Sequence, residues 1–301
     1  MKTVDLFSGC GGMSLGFQKE GFDILAAYDF WEPAISVYMD NFKHPIHKMD
    51  LSSDEAIAHI SNYNADIIIG GPPCQDFSIA GKQNLIGQRA ALTLKFALIV
   101  SAIKPKWFVM ENVYNIERSP TLTKAKKVLK EAKYGITTQT LDASYCGVPQ
   151  ARHRFFMIGC LNETDGFLSK TLTDNLAQNQ MTVYDYLGGS LGTDFYYMHP
   201  RSYNRRAVFS IHEPSATIRG INRPIPQNYK KHSGDRAEIK DGVRALTTKE
   251  RSYIQTFPEW FSFSGKSSDM ELSIGNAVPV NLASFVAKQI MAYNCKHLLQ
   301  Q

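Results

Sequence analysis

Short apolar runs and stretches of helical spacing alternate along residues 2–160. The runs at 4–7, 23–28, 66–69, 106–110 and 154–159 predict strands. Apolar residues three and four apart in 14–20, 32–41, 92–103 and 121–133 predict the helices between them. Repetition of strand, helix and strand implies an α/β fold, a doubly wound and mostly parallel sheet with helices on both faces. The pattern lapses from about residue 187 to 272, where Gly, Pro, Arg and Tyr dominate, and returns as an apolar helix from 280 to about 294. The predicted organisation is a large domain over 1–187, a small inserted domain over 188–272, and a terminal segment over 273–301 whose helix folds back beside the first strand.

The 301 residues, 44% hydrophobic and 20% charged, suffice for an ample core in a soluble globular protein. No apolar run approaches the roughly 20 residues that span a bilayer. The strand pattern begins directly after Met1, so neither a membrane anchor nor a signal peptide is expected, and the protein should be cytoplasmic. Five cysteines, Cys10, Cys74, Cys146, Cys160 and Cys295, are scattered without a Cys-x-x-Cys pair. They suggest neither a disulfide framework nor a metal site, and any special cysteine would work as a thiol. The net charge is a modest +5, but between His199 and Arg244 ten basic residues stand against four acidic ones, so the whole positive excess sits in one segment. Interleaved with Tyr196, Tyr197, Tyr203, Phe209 and Tyr229, it reads as a surface for a polyanion.

Gly70-Gly71-Pro72-Pro73-Cys74-Gln75 follows the strand predicted at 66–69. Two prolines fix φ just before Cys74 and the glycines let a ligand approach the main chain, so the thiol is presented as a nucleophile would be. Burial as an inert thiol is the commoner fate of a free cysteine, and the local sequence alone leaves both readings open. Phe7-Ser8-Gly9-Cys10-Gly11-Gly12 ends the first strand in a glycine turn that opens a helix, at the edge where parallel sheets bind ligands. A dinucleotide fingerprint would need a third glycine where Ser14 stands. Asp29, 18 residues beyond Gly11, is placed to take two ribose hydroxyls, and an adenosyl group without pyrophosphate fits both facts. S-adenosylmethionine is therefore the candidate cofactor, with Phe30 to stack on adenine and Asp50-Leu51 to border its edge. Glu111-Asn112-Val113 follows the strand at 106–110, which brings an acid to the same edge as Cys74. In Gln150-Ala151-Arg152-His153-Arg154, alternation aims both arginines to one side, suited to a phosphate or a carbonyl oxygen. Gly275-Asn276-Ala277-Val278-Pro279 opens the terminal helix and would close over the cofactor.

With these segments the chain resembles the DNA (cytosine-5) methyltransferases of bacterial type. Phe7 to Gly12 resembles the family's first motif, Pro72-Pro73-Cys74-Gln75 its fourth and Glu111-Asn112-Val113 its sixth. Gln150 to Arg154 resembles the eighth and Gly275 to Val278 the tenth, in matching order over nearly the whole chain. Glu213-Pro214-Ser215-Ala216-Thr217-Ile218 is similar to the ninth, which packs the recognition domain against the rest. Gln88-Arg89-Ala90-Ala91-Leu92 departs from the family, which more often has an acidic residue before the arginine and Gly or Asn after it. That departure touches the loop over the target base, not the chemistry.

The resemblance implies a Rossmann-like fold that uses S-adenosylmethionine, releases S-adenosylhomocysteine and carries a target-recognition domain over 188–272. It implies methyl transfer to C5 of a cytosine flipped out of duplex DNA, through a covalent bond from Cys74 to C6. Glu111 would act at N3 and the exocyclic amine, Arg154 would hold O2, and Arg152 would orient the base or a phosphate. The implied cofactor contacts are Phe7, Gly9, Cys10, Gly11, Gly12, Asp29, Phe30, Asp50, Leu51, Pro72, Leu92, Asn276 and Val278. Gln75, Ser78 and Arg89 would touch DNA near the base, and Arg201, Arg205, Arg206, Arg219 and Arg223 would touch it in the basic segment. A monomer with duplex DNA as partner is expected, in a restriction-modification setting that allows a cognate endonuclease encoded nearby. Two related readings stay open: a tRNA-acting C5 methyltransferase, whose Cys-Phe-Thr tripeptide is absent here, and a silent DNA-binding regulator, which would lack the cysteine or the glutamate. Ser14 and Pro72-Pro73-Cys74-Gln75 count against a NAD-linked dehydrogenase.

Overall fold

The computed structural model describes residues 1–53, 55–73, 83–202, 204–239 and 242–298, and their side chains except at 83–91, 297 and 298. In chain order come β1 (Lys2–Leu6), α1 (Gly12–Lys19), β2 (Asp23–Asp29), α2 (Glu32–Asn41), β3 (Ile46–Lys48), α3 (Glu55–Ser61) and β4 (Ile67–Gly70). Next are α4 (Gln83–Ile103), β5 (Trp107–Val113), α5 (Pro120–Glu131), β6 (Tyr134–Asp142) and β7 (His153–Leu161). Two short helices, α6 (Ser169–Asp174) and α7 (Val183–Leu187), lead to the short strands β8 (Phe195–Tyr197), β9 (Val208–Ser210) and β10 (Arg244–Ala245). The chain ends in α8 (Thr248–Ile254), α9 (Ser267–Asn276) and α10 (Val280–Leu298).

The main sheet has the order β3-β2-β1-β4-β5-β7-β6. Its first five strands are parallel, and β7 inserts antiparallel between β5 and β6, so the mostly parallel α/β architecture expected from the sequence is present. The central strand β4 is buried along its length because both faces are covered. Ile68 packs with Phe96 and Phe108 on one face, while Ile67 and Ile69 pack with Phe17 and Val286 on the other. Leu282, Val286 and Ile290 of α10 share that second cluster with Met13 and Phe17 of α1, so the terminal helix lies against α1 on this face.

Within residues 2–160, three elements escaped the hydrophobic pattern. β6 carries the run Thr137-Thr138-Gln139-Thr140 and is an edge strand held by a nine-residue register with β7, not by an apolar stripe of its own. β3 and α3 are too short to set up a period. In addition, α4 starts at Gln83, nine residues before the predicted helix at 92–103.

Residues 188–272 hold a second, three-stranded sheet in the order β10-β8-β9. A small cluster, including Val183, Tyr196, Phe209, Ile218, Ile254 and Ile274, sits beneath it. Because Ile274 belongs to α9, one face of that helix serves this cluster, while Ser273, Gly275 and Asn276 line the cleft described next.

Candidate active site

The carboxyl ends of β1, β2, β4 and β5 open on a cleft of about 1140 Å³, closed from the opposite side by residues 272–278. The turn after β1 is left-handed at Phe7, Gly9 and Gly11, with φ of 57°, 54° and 93°. The non-glycine Phe7 is thus held in a sparsely populated conformation at the cleft. A Cβ on Gly12 would lie 2.3 Å from the Val278 carbonyl oxygen, so only glycine lets the turn and the 277–279 segment close on each other. Asp29 ties β2 to the turn: its Oδ2 accepts the Gly9 N–H at 2.8 Å, and its Oδ1 accepts those of Phe30 at 2.7 Å and Trp31 at 2.9 Å. Both oxygens expected at ribose hydroxyls therefore already hold backbone donors: Oδ1 accepts two, which fill its lone pairs, and Oδ2 accepts one, which leaves a lone pair to offer. Phe30 lines the cleft with 65% of its surface exposed, and Asp50, Leu51, Pro72, Leu92, Asn276 and Val278 line it too. Cys10 is buried, donates to the Ser273 carbonyl, and has its thiol pushed up to about 12 by burial.

Glu111 and Arg154 meet across the β5–β7 pair, with Arg154 Nε 3.0 Å from Glu111 Oε1. Burial raises the Glu111 carboxyl above the usual carboxylate range, and the charges of Arg154 and Arg152 offset that only in part. A Cβ on Gly71 would stand 3.3 Å from Glu111 Oε2, which puts the acid beside the turn that leads to Cys74. Asn112 braces that turn through a 2.9 Å bond from Nδ2 to the Pro72 carbonyl. Cys74, Gln75 and Ser78 lie outside the described residues, as does the side chain of Arg89.

Arg152 takes a different place from the one expected. It is 1% exposed, and its guanidinium donates to the carbonyls of Ile218 at 2.8 Å, Gly275 at 3.0 Å and Ala277 at 3.1 Å. Gln150 and Gln255 extend this clamp. Gln150 Nε2 donates to Gln255 Oε1, the Ile218 N–H donates to Gln150 Oε1, and Gln255 Nε2 donates to the carbonyls of Ile274 and Ala277. The strap at 218–220 is thereby fixed against α9. A Cβ on Gly275 would meet Gly220 N at 2.1 Å. Gln255 carried no sequence signal, since its partners are brought to it only by the fold.

The basic segment divides in two. Arg206 binds both oxygens of Glu213 at 3.0 and 2.9 Å and stacks on Phe209, so this residue expected at DNA is held inside the segment. Arg236 shares Glu213, Arg244 pairs with Glu250 and Lys231 with Glu238. By contrast, Arg201, Arg205 and Arg223 are exposed and have no acidic partner among the described residues. Arg219, which donates to the His199 carbonyl, is pushed down by burial and by neighbouring Arg201, and His199 by burial, Arg223 and Arg219. Here positive charge accumulates, with Arg201, Arg205 and Arg223 in no ion pair among the described residues. Among the described residues no group of three or more His, Cys, Asp or Glu could hold a metal ion, and no helix is long and apolar enough to cross a membrane.

A family model of C-5 cytosine-specific DNA methylases matches residues 1–292. The chain belongs to this family. It is 57% identical over 295 residues to the Type II methyltransferase M.HindV of Haemophilus influenzae, covering 97% of each chain. It is 53% identical over 302 residues to the Type II methyltransferase M.HgiDI of Herpetosiphon aurantiacus, covering 100% of this chain and 97% of the other. Among solved structures, the S. pombe Dnmt2 methyltransferase shares the fold with a TM-score of 0.71 at 18% identity, over 98% of this chain and 99% of that one. The cleft of this DNA cytosine methyltransferase thus brings a glycine turn, a buried acid and an arginine to one sheet edge, with a cationic surface in the segment that follows.

Proposed function

We propose that the chain methylates C5 of a cytosine flipped out of a specific duplex DNA sequence, using S-adenosylmethionine and a transient bond between Cys74 and C6. The observation that carries this reading is Glu111, buried in the cleft, paired to Arg154 at 3.0 Å and set beside Gly71, three residues before Cys74 in the sequence. The cofactor fits the cleft's chemistry. Asp29, Phe30 and the Asp50–Leu51 pair stand at its β2–β3 end, and a Cβ at Gly9 would meet nothing within 4 Å, which leaves the turn open to a ligand. When bound, S-adenosylmethionine supplies a methyl group as an electrophile on its sulfonium. Cys74, as thiolate, adds to C6 and raises the electron density of C5, otherwise a poor nucleophile. Glu111 holds the proton shared with N3 and relieves the charge that develops on the ring. Arg154 orients Glu111 and faces O2, while Arg152 acts from behind, holding the strap and the 275–277 segment in place. Loss of the C5 proton and elimination across C5–C6 then return the thiolate.

Cys10, Cys146 and Cys160 are buried, which pushes their thiols up to about 12, and Cys295 is exposed in α10 without lining the cleft, so none of the four matches a nucleophile presented there. Residues 188–272 would dock the duplex through Arg201, Arg205, Arg219 and Arg223, offsetting the few kcal/mol that flipping a base costs. The close relatives named as Type II methyltransferases support a restriction-modification setting. Bisulfite sequencing of DNA from expressing cells should show methylated cytosine at one sequence, and Cys74→Ser should abolish it. Modification surviving in Cys74→Ser would sink the covalent mechanism, and modification confined to RNA would sink the DNA assignment.

A further inference from the structure

Outside His199–Arg244 the charges of the chain nearly cancel, but they are not evenly spread. Residues 114–133 hold six basic residues against two acidic ones. They form a 3₁₀ turn, Tyr114–Arg118, and α5, which follow directly on the strand that carries Glu111. We propose that the end of this surface nearest the cleft, Arg118 and Lys124, binds the phosphate backbone of duplex DNA flanking the target site. The proposal rests on the DNA reading above and adds to it a second cationic face, outside residues 188–272 and away from the cofactor.

Leu122, Ala125 and Leu129 form the buried stripe of α5 and join the cluster around Phe96 and Phe108, with α4 packed alongside. Lys124, Lys127 and Lys130 are thereby turned to solvent. Like charges three residues apart on one helix face repel each other, and a polyanion removes that cost. The chain itself neutralises this row only at its far end. Lys130 pairs with Asp165 at 2.7 Å and Lys127 reaches Glu131 at 3.9 Å. Arg118 and Lys124, by contrast, are exposed and in no ion pair among the described residues. Glu117, the acid next to Arg118, is turned away and accepts from Thr140 Oγ1 at 3.2 Å. Strand register fixes which end is which. Gly135 of β6 and Trp107 of β5 both stand opposite Cys160, so α5 runs from the Glu111 end of the sheet to its other edge. The charges left without partners are the ones beside the cleft.

Duplex DNA fits this surface better than a protein does. A base that reaches Glu111 leaves the phosphates of its own strand at the cleft rim. Val113 lines that rim, exposed Tyr114 follows it, and Arg118 and Lys124 continue outward. The 12 residues of α5 extend about 18 Å, about five base pairs along a duplex axis. A protein partner would call for an apolar centre to the contact, and α5 exposes no large hydrophobic side chain. Two cations on flexible stems meet phosphates without reading bases, so the contact adds affinity and not sequence choice.

Fluorescence anisotropy with duplexes of about 10 and about 30 base pairs, each centred on the methylated site found by bisulfite sequencing, separates flank from target. At about 50 mM salt the unmodified protein should bind the longer duplex about ten-fold or more tightly than the shorter one. Arg118→Gln combined with Lys124→Gln should remove most of that gain and lower the salt slope on the longer duplex by about two, with the shorter duplex changed less than about two-fold. Lys124→Glu alone, on the face opposite the buried stripe, should act in the same selective sense and decides the matter if the double variant fails to fold. Equal affinity of the unmodified protein for both lengths, or equal losses on both in the variants, would overturn the flanking contact. No loss on either duplex would overturn it as well and leave an acidic protein as what the surface meets. Failure of the unmodified protein to bind either duplex would instead overturn the DNA reading on which the contact rests.

Discussion

Asp5 and Glu111 in the cleft are both pushed above the ordinary carboxylate range by burial, whereas Glu213, Asp235 and Glu250 in residues 188–272 are held below it. Burial also acts on the second group, but hydrogen bonds outweigh it. Glu213 accepts from the Ser210 N–H, Arg236 and Arg206; Asp235 from Tyr229 and the N–H groups of Val208, Ala207 and His232; Glu250 from Arg244 and Thr247. In residues 188–272 acids are internal counter-ions that hold short strands and loops together. In the cleft they are left under-solvated, and perturbation of that kind collects where chemistry is done.

The contrast breaks most sharply at Glu111. Glu111→Gln keeps the shape but cannot hold the same proton, so methyl transfer in a single turnover should fall by about 10²- to 10⁴-fold with DNA binding kept. A rate within about ten-fold of the unmodified enzyme would make this buried acid a structural group like Glu213. A smaller effect tests the arginines. Replacing Arg201 and Arg223 by Ala should lower the slope of log affinity against log salt by about one for each phosphate no longer neutralised, leaving stability unchanged. Arg206→Ala should do the reverse, lowering stability by about 1 kcal/mol with the salt slope intact. Fluorescence anisotropy across a salt series and urea unfolding read the two quantities separately, and exchanged outcomes would mean that the ion pair with Glu213 opens to meet DNA.

How far the sequence showed this depends on the range of the contacts. Strands such as β4, covered on both faces, declare themselves in uninterrupted apolar runs, and Cys74 and Glu111 stand in short motifs whose chemistry is local. Arg152 was visible as an arginine but not as a clamp, because its carbonyl partners lie 66, 123 and 125 residues away. Arg206 was counted toward DNA although Glu213 stands only seven residues on, a signal that local charge pairing could have exposed. Asp5 passed as one more strand residue. A lone acid within an apolar strand is in fact unusual, and its place in the fold shows only once Ser14 is seen to hold one oxygen and no described residue the other.

The smallest expected effect is an opposite response of the two regions to acid. Glu213, Asp235 and Glu250 have folded values below their ordinary 4.5, 3.8 and 4.5, so the stability they contribute is present above those values and is lost as pH falls through the depressed ones. Asp5 and Glu111 are raised, so their contribution is complete below the ordinary 3.8 and 4.5 and declines as pH rises, for Asp5 through about 7. Lowering the pH from 7 to about 5 should therefore relieve the cleft without loosening residues 188–272, and going below about 4 should loosen those residues first. Hydrogen exchange, corrected for intrinsic rates, should show β8 and β9 losing protection at a higher pH than β1 and β5. If β1 and β5 opened first on acidification, the cleft acids would be stabilised in their ionised form like Glu213, and the division between acids held below the ordinary range by their partners and acids raised above it by burial would fail.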